Sequence, residues 1–382
     1  MGKGELRCAL IVACTAYHID KFTWGQIGIL QKHGFEVHVA ASFDAALSGN
    51  SSSNYIEQCR ERLINQDVKV FEMPFTRFPL SSNNIKAYRS LKKLFKLYSY
   101  NLLHCHTPTG GLVSRLAAVR YRKKGLSVIY TAHGFHFFKG APLLNWLLYY
   151  PVEWFLAKLT DCLIVINEED EKIASKLPAK TVKKINGIGV PREPYDEAKP
   201  IDKTAFGLNK NTFVFLYVGE LSKRKNQELL IKSFSEIVDK CPETVFLLVG
   251  EGVMRPSYEQ LISSLNLTQK VLLLGWRDDI PSLVTMSDVV VSSAKQEGLP
   301  VNLIEAMMAG KPIIASDCRG NKELAEQAGI VARSQKGFSE AMVLLYNNSE
   351  LRTNFGQASK AASHKYEAAV VDEEMEKLYI AL

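Results

Sequence analysis

Gln296-Glu297-Gly298-Leu299-Pro300-Val301-Asn302-Leu303-Ile304-Glu305-Ala306-Met307-Met308-Ala309-Gly310-Lys311-Pro312 follows an apolar run at 287–293 that reads as a strand. Pro300 suits the first turn of a helix, and Gly310 followed by Pro312 suits its end. Two acids therefore bracket a strand-to-helix turn. At about 1.5 Å per residue, Glu305 lies roughly 7 to 8 Å along the helix from Pro300, while Glu297 stays at the mouth beside unpaired amides.

That spacing suits a nucleotide sugar. The turn amides can receive a diphosphate, because helix N-termini combine unpaired donors with the positive end of the macrodipole. A carboxylate one or two turns deeper can accept two hydrogen bonds from a ribose diol, each worth about 1.5 to 3 kcal/mol when charge-assisted and dry. Glutamates in the first turns of a helix also serve dipole complementarity and solubility alone.

The string Glu-Gly-Leu-Pro, three residues, Ile-Glu-Ala, then Gly-Lys-Pro-Ile-Ile-Ala-Ser resembles the E-x7-E signature of family 4 retaining glycosyltransferases. The resemblance is clearest over residues 210–330. It implies an α/β GT-B fold, two doubly wound Rossmann-like domains facing a central cleft. It also implies that Glu297 contacts the donor sugar, with Gly298 and Leu299 beside it, and that Glu305 binds ribose.

A chain of 382 residues with 47% hydrophobic content has material for two domains, each with its own core. No apolar run reaches the roughly 18 to 20 residues of a membrane-spanning helix, and Met1 to Leu10 lacks the form of a signal peptide, so a cytoplasmic protein is expected. Seven scattered cysteines without a Cys-x-x-Cys pair read as reduced core residues. Residues 1–195 hold 26 Lys+Arg against 15 Asp+Glu, and the remainder holds 21 against 25. The basic half suits nucleic acid, anionic lipid or a phosphorylated acceptor. Without a zinc-finger, RNP-like or helix-turn-helix signature, nucleic acid is not expected as a partner.

Strand-like runs recur at 8–15, 36–41, 68–71, 102–106, 128–131 and 162–166. Helical spacing lies between them at 22–33, 54–65, 84–98, 110–122 and 143–159. A second series of strands runs 213–218, 244–249, 270–274, 288–292 and 312–315. Such alternation predicts parallel sheets covered by helices, with ligand at the carboxyl ends of the strands. The glycine-rich stretch Asn186 to Pro191 divides the chain into domains at 1–190 and 191–365, which the resemblance implies are an N-terminal acceptor-binding and a C-terminal nucleotide-sugar domain. By likeness to GT-B enzymes, 366–382 is expected to return to the first domain.

Polar groups of the first half cluster after strands, at Thr15 to Ile19, His104 to Gly111 and Thr131 to His136. These histidines lack the i, i+4 pairing and carboxylate companions of a zinc site, so no metal is expected. For His104 and His106 the favoured reading is a buried ring satisfied by backbone. By resemblance His133 meets the transferred sugar, and His18, Gly110 and Gly111 match acceptor-side positions; Ala16 and Tyr17 replace the glycines usual in that first loop.

In the second half, Gly219 at a strand end permits close backbone approach, and Lys225 can offset charge on a leaving diphosphate. Many relatives have Arg where this chain has Glu220, which leaves Lys223 or Arg224 to supply the second cation. Arg277 falls in the region that holds the nucleobase in the family. Asp278 and Asp279 suit a helix cap. No Asp-x-Asp appears, so no manganese site is expected.

Two stretches suit a membrane surface. Lys86, Arg89, Lys92, Lys93 and Lys96 share a helical segment with Ile85, Leu91 and Phe95, and residues 135–150 are rich in aromatics. Thr-Ala-His-Gly-Phe-His-Phe, Lys-Gly-Ala-Pro and Val-Gly-Glu-Leu-Ser resemble the capsule and exopolysaccharide members of the family. That likeness implies transfer from a UDP-sugar, without a cofactor, to a polyprenyl-diphosphate-linked saccharide at the inner leaflet. The alternatives are a GT-B nucleotide-sugar epimerase and a non-catalytic UDP-sugar-binding subunit of a polysaccharide complex.

Overall fold

In the computed structural model, which describes residues 7–45 and 53–382, the apolar runs become two wholly parallel sheets. The first comprises β1 (Arg7–Thr15), β2 (Phe35–Ser42), β3 (Lys69–Glu72), β4 (Tyr100–His106), β5 (Ser127–Ala132), β6 (Cys162–Val165) and β7 (Thr181–Lys184), in the order β3-β2-β1-β4-β5-β6-β7. The second comprises β8 (Phe213–Val218), β9 (Thr244–Val249), β10 (Val271–Gly275), β11 (Val289–Ser292), β12 (Ile313–Ser316) and β13 (Gly329–Ala332), in the order β10-β9-β8-β11-β12-β13. Central strands such as β1 and β9 are buried nearly throughout, as strands covered on both faces must be. Of the stretch Met1 to Leu10, residues 1–6 lie outside the described residues.

The chain divides into one unit of Met1–Ile188 with Val371–Leu382 and another of Gly189–Val370. In each, the strand order reverses at one point, between β1 and β4 and between β8 and β11. Loops leaving those strands splay apart at such a switch point and open a crevice at their carboxyl ends. Thr15 to His18 and His106 to Gly111 leave the first, and Gly219 to Asn226 and Ser293 to Pro300 leave the second.

Three elements differ from the sequence expectation. The single helix expected at 22–33 is two, Ala16–Phe22 and Trp24–Lys32. Thr23 separates them, because both its backbone N–H and its hydroxyl turn back to Ile19 O, at 3.2 and 2.8 Å. No strand was expected at β7 or β13, both sheet edges and only partly covered: Thr181–Lys184 holds one apolar residue, and Gly329–Ala332, though apolar, is only four residues long. Asp279 occupies the N-cap of Ile280–Met286 but makes no capping bond, since its carboxylate takes Arg277 instead.

The final helix, Ala368–Ile380, buries Val371, Met375 and Tyr379 against the first sheet. Gly25 packs beneath it so tightly that a Cβ there would stand 2.1 Å from Asp372. Tyr379 Oη lies 2.7 Å from His104 Nδ1, which ties the helix to the middle of β4. All seven cysteines are free, six of them buried.

Candidate functional site

Gln296 to Pro312 folds as a short loop after β11, followed by the helix Val301–Met308 with Pro300 at its N-cap. Proline offers no side-chain acceptor to the first amides, of which Leu303 N turns back to Pro300 O at 3.2 Å. The loop is fixed from beneath: Asn302 Nδ2 donates to Val218 O at 2.9 Å, and Arg319 Nε donates to Glu297 O at 2.9 Å. Gly320, at φ 76°, approaches Gly298 O so closely that a Cβ would meet it at 2.5 Å.

Beside it, the loop after β8 turns at Gly219, at φ 147°, and enters the helix Gln227–Ser235 through Asn226 in the left-handed region. Ser293 Oγ donates to Asn226 O at 2.8 Å, and Lys295 N donates to Arg224 O at 2.9 Å. The two loops are thus bonded to each other by backbone. Their side chains converge: Lys225 Nζ lies 2.7 Å and Arg224 Nη1 3.1 Å from the same oxygen, Glu297 Oε1. The Lys225 and Glu297 side chains are only 15% and 10% exposed, so this contact is drier than a surface pair. Two cations on one carboxylate leave an excess positive charge at the mouth of the helix. Lys223 and Arg224 are both exposed, and Arg224 is the one that reaches the Glu297 carboxylate.

Glu305, one turn into the helix, hydrogen-bonds the phenol of Tyr195. Burial and then the Glu305 charge push that phenol far above its ordinary value, so it is the donor at neutral pH. Arg277 is held by Asp279 and lies 5.8 Å from the Phe206 ring. Leu299 is buried, a support for the loop.

In the first unit, histidines from three strand ends meet. His18 Nε2 lies 3.2 Å and His106 Nδ1 3.1 Å from His133 Nε2. Burial holds all three rings below their ordinary range, His133 at about 4, so each is neutral at pH 7. The protons can then be placed. His106 Nε2 faces Gln26 Oε1 at 3.0 Å, and an amide oxygen only accepts, so that nitrogen carries the proton. Its Nδ1 is a lone pair, His133 Nε2 donates to it, and His133 Nδ1 is left as an acceptor. One ring nitrogen of each histidine lies within 4.8 Å of the others, a ligand set of the type zinc takes.

His104 and His106 are buried but satisfied by side chains, Tyr379 and Thr131 for the first, Gln26 and His133 for the second, where backbone was expected. Gly110 and Gly111 are buried at the start of the helix Pro108–Arg122, where a Cβ would stand 2.8 Å from Thr107 Oγ1 and 2.5 Å from the Tyr130 ring. Both are required by packing. Tyr195, Arg319 and Gln26 went unnoticed in the sequence. Arg319 carried a signal, its place just after a strand and before a glycine; Tyr195 and Gln26 meet their partners only in three dimensions.

Residues 198–362 match the family of glycosyl transferases group 1, and residues 7–167 match the glycosyl transferase 4-like family. EpsD of Bacillus subtilis (strain 168) is 37% identical over 100% of this chain and 97% of its own length. The UDP-Gal:alpha-D-GlcNAc-diphosphoundecaprenol alpha-1,3-galactosyltransferase of Escherichia coli is 33% identical over 68% of each chain. Among solved structures, Anabaena Alr3699/HepE in complex with UDP and glucose superposes with a TM-score of 0.77 over 98% of this chain and 100% of that one, at 18% identity.

Proposed function

The chain belongs to the family 4 glycosyltransferases with the GT-B fold, and on that premise we propose that it transfers a sugar from a UDP-sugar to a polyprenyl-diphosphate-linked saccharide. The transfer retains the anomeric configuration, needs no metal or cofactor, and serves capsule or exopolysaccharide synthesis at the inner face of the plasma membrane. The observation that carries this reading is the convergence of Arg224 and Lys225 on Glu297 at the mouth of the helix bearing Glu305. The named substrates of the E. coli relative, a UDP-sugar and a diphosphoundecaprenol-linked saccharide, support the donor and acceptor classes.

The leaving diphosphate carries the charge that develops as the anomeric C–O bond breaks. Lys225, Arg224 and the amides at the start of Val301–Met308 stabilise it there, in place of a divalent cation. The acceptor oxygen bonds the anomeric carbon on the face the diphosphate leaves, and its proton passes to a diphosphate oxygen. Glu297 orients the donor sugar, Glu305 accepts from the ribose hydroxyls, and the Nδ1 lone pair of His133 accepts from a sugar hydroxyl.

The test is turnover of a panel of nucleotide sugars with and without a short-chain polyprenyl-diphosphate saccharide, read by mass spectrometry. Product only with acceptor is expected, and Glu297→Ala should abolish it while UDP affinity survives. Isomerised donor without acceptor would mean an epimerase; UDP binding without any product would mean a non-catalytic subunit.

A further inference from the structure

The helix Leu143–Ala157 has an outward face without a single polar side chain. Leu143, Leu144, Leu147, Leu148, Val152 and Phe155 are all exposed, Leu143 at 73% and Leu147 at 64%. Isolated exposed leucines are ordinary; four turns of them in one line are not. The inward face is anchored: Glu153 makes a two-pronged pair with the buried Arg115 of Pro108–Arg122, at 2.6 and 3.0 Å, and Leu156 and Ala157 are buried. The helix therefore cannot roll its leucines into the core.

Its surroundings decide what covers it. The helices Ser82–Leu97 and Pro108–Arg122 pack with it on the same face of the first sheet. Of the two stretches singled out in the sequence, the basic one sends Leu91, Leu94 and Phe95 into the core and shows solvent its Lys86, Arg89, Lys93 and Lys96. The aromatic one buries Phe135 and Phe137 and exposes the leucines. Residues 73–160 hold thirteen Lys and Arg against one acid, and that acid is Glu153, turned inward. A second copy of this chain would bring the same charge against it. A bilayer with anionic headgroups offers both an apolar layer for the leucines and the opposite charge for the lysines. Lys158, 3.8 Å over the Trp154 ring at the helix end, has the aromatic-and-lysine pairing of a membrane interface. At about 22 Å the helix is too short to span a bilayer.

We infer that Leu143–Ala157 lies in the surface of an anionic membrane, with the basic residues of Ser82–Leu97 and Pro108–Arg122 resting on the headgroups around it. The inference rests on the proposed transfer to a lipid-linked acceptor for its purpose, and on this surface for its geometry. Its test is co-sedimentation of the full chain with vesicles of neutral lipid alone and with about 30 mol% anionic lipid. Binding to the anionic vesicles is expected, weakened at least tenfold on neutral ones and by salt of about 0.5 M. The double variant L147E/L148E should bind about a hundredfold less, with unchanged circular dichroism because both positions are exposed. K93E/K96E should lose the preference for anionic lipid while keeping the fold.

No binding of the wild-type chain at low salt, equal binding by L147E/L148E, or a dimer that the same substitutions dissolve would overturn the inference. Transfer to a short-chain, water-soluble acceptor separates it from the transferase reading. If L147E/L148E releases vesicles and retains that transfer, the surface is upheld. Transfer without any vesicle binding removes the surface and leaves the transferase; vesicle binding without any transfer does the reverse.

Discussion

Glu153→Ala should be among the most destabilising single substitutions in the first unit. Arg115 is fully buried, donates to Glu153 Oε1 at 2.6 Å and Oε2 at 3.0 Å, and lies 3.9 Å over the Tyr130 ring. Its remaining acceptors are neutral: Gly111 O at 3.0 Å and Thr160 Oγ1 at 3.4 Å. Removing the carboxylate therefore strands a guanidinium in the interior, which costs about 3 to 5 kcal/mol. For a unit of this size that is about 6 to 20 °C in the midpoint of its unfolding transition. Replacing both partners, as in Arg115→Met with Glu153→Leu, leaves no orphan charge and should return the midpoint to within about 1.5 kcal/mol of wild type. Differential scanning calorimetry of the two single variants and the double variant completes the cycle. A loss under about 1 kcal/mol in Glu153→Ala would mean that water reaches Arg115, and would refute the argument that this pair sets the orientation of the leucine-bearing helix.

The pH dependence of stability should show His104, whose burial lowers it from 6.5 to about 3. The unfolded chain binds its proton below 6.5 and the folded chain does not until about 3, so stability is full above 6.5 and falls as pH drops through that window, by about 1.4 kcal/mol per pH unit. In chemical denaturation between pH 6.5 and 4.5, His104→Asn should flatten that slope by up to one proton; an unchanged slope would contradict it. Tyr195→Phe removes the donor that holds Glu305 and should weaken UDP binding in calorimetry about three- to tenfold with little change in unfolding midpoint, the worth of one charge-assisted bond at a half-buried site. Equal UDP affinity in the two proteins would show that the phenol does not position Glu305.

Much of the fold was legible because its signals are local. A fully buried parallel strand must be an unbroken apolar run, as in Phe213–Val218 and Thr244–Val249, and the two sheets fall where those runs fall. Edge strand Thr181–Lys184 stayed hidden because an edge needs no such run, and Gly329–Ala332, though apolar, is only four residues long. Lys225 and Glu297, which the fold brings together, stand out for a similar reason: each follows a strand end by a fixed step, which a linear chain records.

Three-dimensional packing alone decided the rest. The sequence placed histidines at strand ends but could not show that His18, His106 and His133 share one point, or that Gln26 sets their protons, because those contacts join residues up to 115 positions apart. Nor could it tell which apolar stretch is core. Leucines 91 and 94 and leucines 143 and 147 look alike in a chain; the first pair meets the sheet and the second is turned to solvent by a buried ion pair between Arg115 and Glu153. Periodicity records that a helix has an apolar face, whereas only the packing around it determines whether that face is spent on the protein's own interior or left for something outside it.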